Sequence, residues 1–404
     1  MSVRLCVLCS LPVLAGCVAY VGDDIDLRGI AAEVKALPGG EFSLTQAITT
    51  ALRDNPELRQ LAANARAAGA VTEPIELQAE YRGGEEMLGV MLDPVALLGL
   101  GPRGGALTVD AANAAAALDE LAAARWRVAA AVAETFVVDR TLAALPLPEL
   151  TVDTNAFVRA GLAAPAATAR LEAARRRIAA EVDERRLVRE HNRDALRVLL
   201  GRDAATPITF VHGDADAIEQ PVAGDEALLA RPDLRLPVAR LRQADAEFRA
   251  AVAAQYPSLM LGPEIPLRGG LLDLMAVLKV PFLMHGRAEA ARERREAARV
   301  ALAAAWSEAG NGAADAEHEL AAARSMLAAA AANLQASETA LAAALVALQV
   351  EVDTFDRAAE AAAMAARDLA EHRVAAVALA RAELRRARAF GWPRLDHAAA
   401  EARR

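Results

Sequence analysis

The sequence predicts a mainly α-helical chain with a small β part, in which long antiparallel coiled-coil helices accompany four short strands. Three observations predict it. Of the 404 residues, 55% are hydrophobic but only 3% aromatic, so the apolar content is largely alanine, which loses no side-chain entropy in a helix and lets helices approach closely. Leu320, Leu327, Leu334, Leu341 and Leu348 recur every seven residues, with Ala323, Ala330, Ser337 and Ala344 three positions after the first four. Sustained heptads of this kind are the seam of a coiled coil. Finally, Ala51-Leu52-Arg53-Asp54-Asn55-Pro56-Glu57-Leu58-Arg59 is echoed by Ala227-Leu228-Leu229-Ala230-Arg231-Pro232-Asp233-Leu234-Arg235, and a duplication accounts for the length better than three unrelated domains.

Taken in order, residues 1–16 hold one cation, Arg4, then the apolar run of Cys6, Val7, Leu8, Cys9, Leu11 and Val13, then small residues. That is the layout of a secretory signal peptide. Leu14-Ala15-Gly16-Cys17 resembles a bacterial lipobox, which implies lipidation of Cys17, and Val18 in place of an acid implies export to the outer membrane. Two of the three cysteines lie inside the signal, so a lipidated Cys17 leaves no thiol for a disulfide or a metal. Residues 17–40 then read as a lipidated linker, 41–210 as the first repeat, 211–395 as the second and 396–404 as a tail.

Each repeat opens with its echo phrase, where Pro sits early in a helix and an acid follows it, favoured by the helix dipole. Strands are expected at about 74–92 and 258–282, and long helices at about 106–200 and 287–391. Ile75-Glu76-Leu77-Gln78-Ala79-Glu80-Tyr81-Arg82 alternates apolar and polar without a fault, placing Ile75, Leu77 and Tyr81 on one face. In the second repeat Leu272, Leu274, Ala276, Leu278, Val280 and Phe282 share a face. Such strands approach the ~9–11 residues that cross a bilayer as tilted β-strands. An isolated four-stranded sheet would leave its edges unpaired in lipid, so crossing requires a closed barrel built from several chains. The alternative is a pair of soluble hairpins packed on the helices.

In the returning helix Phe355, Ala362, Leu369 and Ala376 continue the seven-residue spacing. Gly310-Asn311-Gly312 is expected to break the long helix of the second repeat, and Pro146 and Pro148 that of the first.

Other classes are excluded. A formal net charge of −9 leaves no footprint for nucleic acid. No stretch beyond the first twenty residues keeps ~18 uninterrupted apolar positions. The six histidines are scattered without a Cys or carboxylate at metal spacing. Gly101-Pro102-Arg103-Gly104-Gly105 lacks the Lys-Ser/Thr end of a phosphate loop and reads as a strand-to-helix turn. Arg175-Arg176-Arg177 and Arg292-Glu293-Arg294-Arg295 read as solvated helix faces. No catalytic residue, cofactor or metal site is expected.

With the lipobox, the doubled order of helix, strand pair and two long helices, and phrases such as Ser43-Leu44-Thr45-Gln46-Ala47, Asn55-Pro56-Glu57-Leu58, Arg231-Pro232-Asp233-Leu234 and Tyr256-Pro257-Ser258-Leu259, the chain resembles the outer-membrane efflux factors, the TolC-like duct proteins, from about residue 41 to residue 390. The resemblance implies a homotrimer whose strands close a twelve-stranded barrel in outer-membrane lipid and whose helices form a periplasmic tunnel. It implies as partners a periplasmic adaptor and an inner-membrane transporter.

It also directs attention to the helix-helix turns. Phe157-Val158-Arg159-Ala160-Gly161-Leu162-Ala163-Ala164-Pro165 resembles the family's tip motif with its turn glycine, Gly161. The second tip, Leu348 to Asp356, has Val350 where the glycine usually stands. Asp356 occupies the place of an aspartate that rings the tunnel mouth in some members, with Asp353 nearby, whereas Ala359 stands where a second gate acid would be. Three converging carboxylates repel one another and attract cations; the alternative for Asp353 and Asp356 is a solvated first helical turn. Leu162 and Phe355 are candidate adaptor contacts or seam residues. The implied function is a passive gated conduit exporting small molecules or ions. The alternative is a coiled-coil lipoprotein that tethers envelope layers without a pore. The cargo is not legible.

Overall fold

The computed structural model describes residues 27–68, 75–82, 85–92, 101–145, 165–213, 224–256, 258–266, 273–279, 285–350 and 355–393. Cys17, Gly161, Leu162, Leu272, Phe282 and Asp353 lie outside them. The chain divides into two units, Met1–Pro38 and Gly39–Arg404. In the first, residues read as linker form a helix, α1 (Leu27–Ala36), with Lys35 in its last turn where a cation suits the dipole.

The second unit runs through its elements in the same order twice. Strand β1 (Gly40–Phe42) leads to α2 (Leu44–Asp54), α3 (Pro56–Ala68), the hairpin β2 (Ile75–Arg82) and β3 (Glu85–Leu92), then α4 (Gly101–Ala144) and α5 (Pro165–Leu199). Strand β4 (Ile208–Phe210) leads to α6 (Asp225–Leu229), α7 (Pro232–Ala253), β5 (Ser258–Pro266), β6 (Asp273–Lys279), α8 (His285–Val350) and α9 (Phe355–Ala389).

Local chemistry sets these boundaries. Ser43 opens α2 with a capping box: its Oγ accepts from the Gln46 backbone N–H, and Gln46 Oε1 accepts from the Ser43 N–H. The ends of α5 and α9 close alike. Arg202 N donates to Arg197 O and Gly201 N to Val198 O, while Trp392 N donates to Ala387 O and Gly391 N to Arg388 O. Both are Schellman closures, with Gly201 at φ +65° and Gly391 at φ +89°, a region that favours glycine.

The same two places receive the residue that precedes each echo proline. Asn55 Nδ2 donates to Leu199 O at 2.9 Å, and Arg231 Nη1 donates to Ala389 O at 3.2 Å. Around the first junction Leu44, Ala47, Ala51 and Leu58 pack with Leu121, Val128, Val132, Phe136, Leu196 and Leu200 in the main apolar cluster.

Helix α8 is unbroken for 66 residues, about 100 Å at the α-helical rise. The expected break at Gly310-Asn311-Gly312 does not occur. Each glycine costs only about 1 kcal/mol relative to alanine, a small penalty inside so long a cooperative helix. The stretch Gly286–Leu348 also holds a window apolar enough, by length and composition, to cross a membrane, although it lacks a long uninterrupted apolar run. Its seam is nevertheless committed to protein: Leu320, Ala323, Ala330, Leu334, Ser337 and Leu348 are buried and Leu327, Leu341 and Ala344 half-buried. On the returning α9, Phe355, Ala362, Leu369 and Ala376 are all buried, as the heptads predict.

The small strands β1 and β4 pair in parallel, Gly40 with Ile208 and Phe42 with Phe210. Sequence reading missed this pair, because three-residue strands carry no measurable alternation.

Candidate functional site

Two places stand out, the shared sheet and the meeting point of the helix ends. Both hairpins join one antiparallel sheet in the order β2-β3-β5-β6. Its register carries the apolar face of β2 across all four strands. Ile75 pairs with Leu92, Leu77 with Val90 and Ala79 with Leu88; Leu88 then pairs with Ile265 and Leu92 with Leu261; Leu261 pairs with Ala276, Leu259 with Leu278 and Pro263 with Leu274. Since paired positions share a face, these positions form one nearly all-apolar face, interrupted at the Tyr81–Glu86 pair. The opposite face is mixed: Glu76, Gln78, Glu80, Glu264, Asp273 and Lys279 share it with Met87, Met91, Met260, Met275 and Val277. Strands β2 and β6 are its two edges. Of the expected sheet residues, Ile75, Leu77, Tyr81, Leu274 and Leu278 fall in strands.

At the other end of α8 the described helix ends next to both long helix-helix turns pack together. Leu348 packs with Phe355, Ala358, Ala359 and Ala362 of α9 and with Ala167, Leu171 and Ala174 of α5. Phe355 is 3% exposed and buried against this chain's own helices. Val350 is the last residue of α8. Asp356 is exposed in the first turn of α9, where the dipole favours an acid, and makes no ion pair among the described residues. Ala359 is fully buried, so a carboxylate there would be desolvated in the apolar cluster.

Between sheet and tips, buried charges tie the hairpins together. Glu181 on α5 is 4% exposed; its Oε1 accepts from Arg185 Nε at 3.1 Å and lies 2.7 Å from Arg373 Nε on α9, an ion pair not aligned as a hydrogen bond. Arg373 Nη2 donates to Glu184 at 2.7 Å. Asp139, fully buried on α4, accepts from Arg189 Nε at 2.8 Å and Nη2 at 3.2 Å, and His212 Nε2 lies 2.8 Å from its Oδ2. The hydrogen bond to Asp139 raises the Arg189 guanidinium further above its ordinary value. Sequence reading left His212 without a carboxylate; the only hint was Asp139 itself, a lone acid following Phe136-Val137-Val138. Among the described residues no group of three His, Cys, Asp or Glu is placed to hold a metal.

This arrangement of sheet and paired helical hairpins has counterparts among solved structures. A membrane protein from Pseudomonas aeruginosa matches with a TM-score of 0.70 and 21% identity over 86% of this chain and 92% of that one. The open-state MtrE outer membrane channel of Neisseria gonorrhoeae matches at 0.66 and 20% identity, over 86% and 88%. The CmeC outer membrane channel of Campylobacter jejuni matches at 0.66 and 16%, over 93% of each chain. The fold is that of the TolC-like outer-membrane efflux channels. No protein-family model matches the sequence, and no curated protein matches it at the level of sequence. The phrases that carried the resemblance, Ser43 to Ala47 and Asn55 to Leu58, sit at the cap and junction that hold this fold together.

Proposed function

We propose that the chain is the outer-membrane subunit of a tripartite efflux system, a passive gated conduit for small molecules or ions with no reaction of its own. The observation that carries this reading is the apolar face running across four strands, with neither edge paired among the described residues. In lipid those edges lose their hydrogen bonds unless β2 of one copy pairs with β6 of the next, and a head-to-tail pairing of this kind closes into a ring. Three copies give a twelve-stranded barrel in outer-membrane lipid of a Gram-negative bacterium, with Cys17 as a lipid anchor. The exposed Val300, Trp306, Met326 and Val346 of α8 and Met364 and Val374 of α9 then supply the contacts between copies. Neighbours named as outer membrane channels support the same role.

In this reading the two halves are a duplication, and the tips face the periplasm. Gly161 and Leu162 meet the adaptor that links the duct to an inner-membrane transporter, Val350 sets the second turn, and Asp356, with Asp353 beside it, rings the tunnel mouth. The second reading, a pore-free tether, draws on strand length: β2 and β3 have 8 residues and β6 has 7, under the ~9–11 of a membrane strand. Planar-bilayer recording separates the two. Discrete cation-preferring conductance steps support the duct; a verified trimer that never conducts supports the tether.

A further inference from the structure

We infer that the first turns of α8 carry a docking surface for anionic phospholipid, set by Arg287 and Arg294 at the foot of the sheet; this rests on the sheet lying in a bilayer. Helix α8 begins soon after β6 ends, so its first turns lie beside the headgroups of whatever membrane holds β6. Arg287, Arg292 and Arg294 are exposed there and make no ion pair among the described residues, whereas Arg295 is held by Asp245 at 2.6 Å and Arg299 by Glu296 at 2.8 Å. Arginine at this end of a helix opposes the macrodipole, and the first turn contains no acid to offset it. Helix stability therefore does not account for the placement.

Arg287 and Arg294 are two turns apart, about 10 Å along the axis, and both line one open cleft of about 530 Å³ between α4, α7 and α8. Val109, Ala250 and Ala291 form its apolar lining, with Glu247 as its single acid. Two guanidinium groups without an ion pair among the described residues, set over an apolar lining, suit a lipid phosphodiester with its glycerol and first methylenes. They suit a free phosphate less well, because it brings nothing to cover the alanines. Guanidinium recognises phosphate oxygens through paired N–H donors, and each surface arginine adds to the attraction for an anionic leaflet.

The test uses the full-length protein reconstituted in bilayers of equal parts phosphatidylcholine and phosphatidylglycerol, with trace spin-labelled lipid of either kind. The inference expects the motionally restricted lipid to be enriched in phosphatidylglycerol. The enrichment should fall about fivefold for each arginine lost in Arg287→Gln and Arg294→Gln, and stay in a control with Arg170→Gln and Arg177→Gln, which removes equal charge from α5. Restricted lipid with no preference, or a preference unchanged in the Arg287/Arg294 variant, overturns the inference while leaving the barrel standing. Loss of preference in inorganic phosphate beyond that in chloride of the same ionic strength assigns the site to free phosphate and also overturns it. No restricted lipid of either kind removes the membrane reading itself.

Discussion

Asn55 Nδ2 donates to Leu199 O, 144 residues away, while Asn55 Oδ1 accepts from Leu58 N. One buried amide thus caps the start of α3 and satisfies a carbonyl at the end of α5. Asn55→Ala leaves both groups buried without partners and should cost about 1–3 kcal/mol, read as a lower denaturant midpoint with an unchanged slope. Asn55→Asp keeps the cap but loses the donor to Leu199, so an intermediate cost is expected; equal stability of all three proteins would dismiss the junction as a stabilising element.

Asp139 should be among the costliest polar positions. Its carboxylate is fully buried and shared by Arg189 and His212; the Arg189 side chain is 34% exposed and keeps part of its hydration, so Asp139→Ala should cost about 1.5–3 kcal/mol. A joint change of Asp139 and Arg189 to apolar residues should recover part of this loss. Additive losses in that double-mutant cycle would argue against a shared network.

Acid should loosen the first junction. The hydrogen bond from Arg53 first, and that from Arg202, hold the Asp54 carboxyl below its ordinary value against the opposing effect of burial. A depressed folded value means that the stability is complete above the unfolded pKa of about 4 and is lost as pH falls through the folded value. The stability gap between the wild type and Asp54→Asn should therefore be constant from neutral pH down to about 5 and shrink below about 4. Denaturation across that range checks it, and a gap that widens on acidification would contradict the sign.

Asp356→Ala tests the tunnel mouth. Three carboxylates near an axis repel by roughly 1 kcal/mol per pair at 4 Å in water, more in a confined pore. The variant should conduct with weaker cation preference and fold as well as the wild type, since the side chain is exposed. Unchanged reversal potentials in a salt gradient would reduce Asp356 to a solvated helix start.

Periodic features were legible in the sequence and singular ones were not. Leucines at heptad spacing announced the α8 seam, and the eight-residue alternation from Ile75 announced β2, because both repeat one geometric rule many times. Gly262, Pro263 and Pro266 blur the alternation of β5, yet it lies within the stretch from residue 258 that was read as strand. Gly310 and Gly312 misled because local propensity is weak beside the cooperativity of a long helix. The approach of His212 to Asp139, 73 residues apart, and the β1 to β4 pairing depend on tertiary packing that no local pattern encodes.

In the proposed duct the edges β2 and β6 are closed by other copies of the same chain. Native mass measurement of the full-length protein released from a bilayer-mimicking detergent addresses it most directly. Three chains held together are expected; a chain that stays monomeric there, with its sheet intact, would rule out closure between copies.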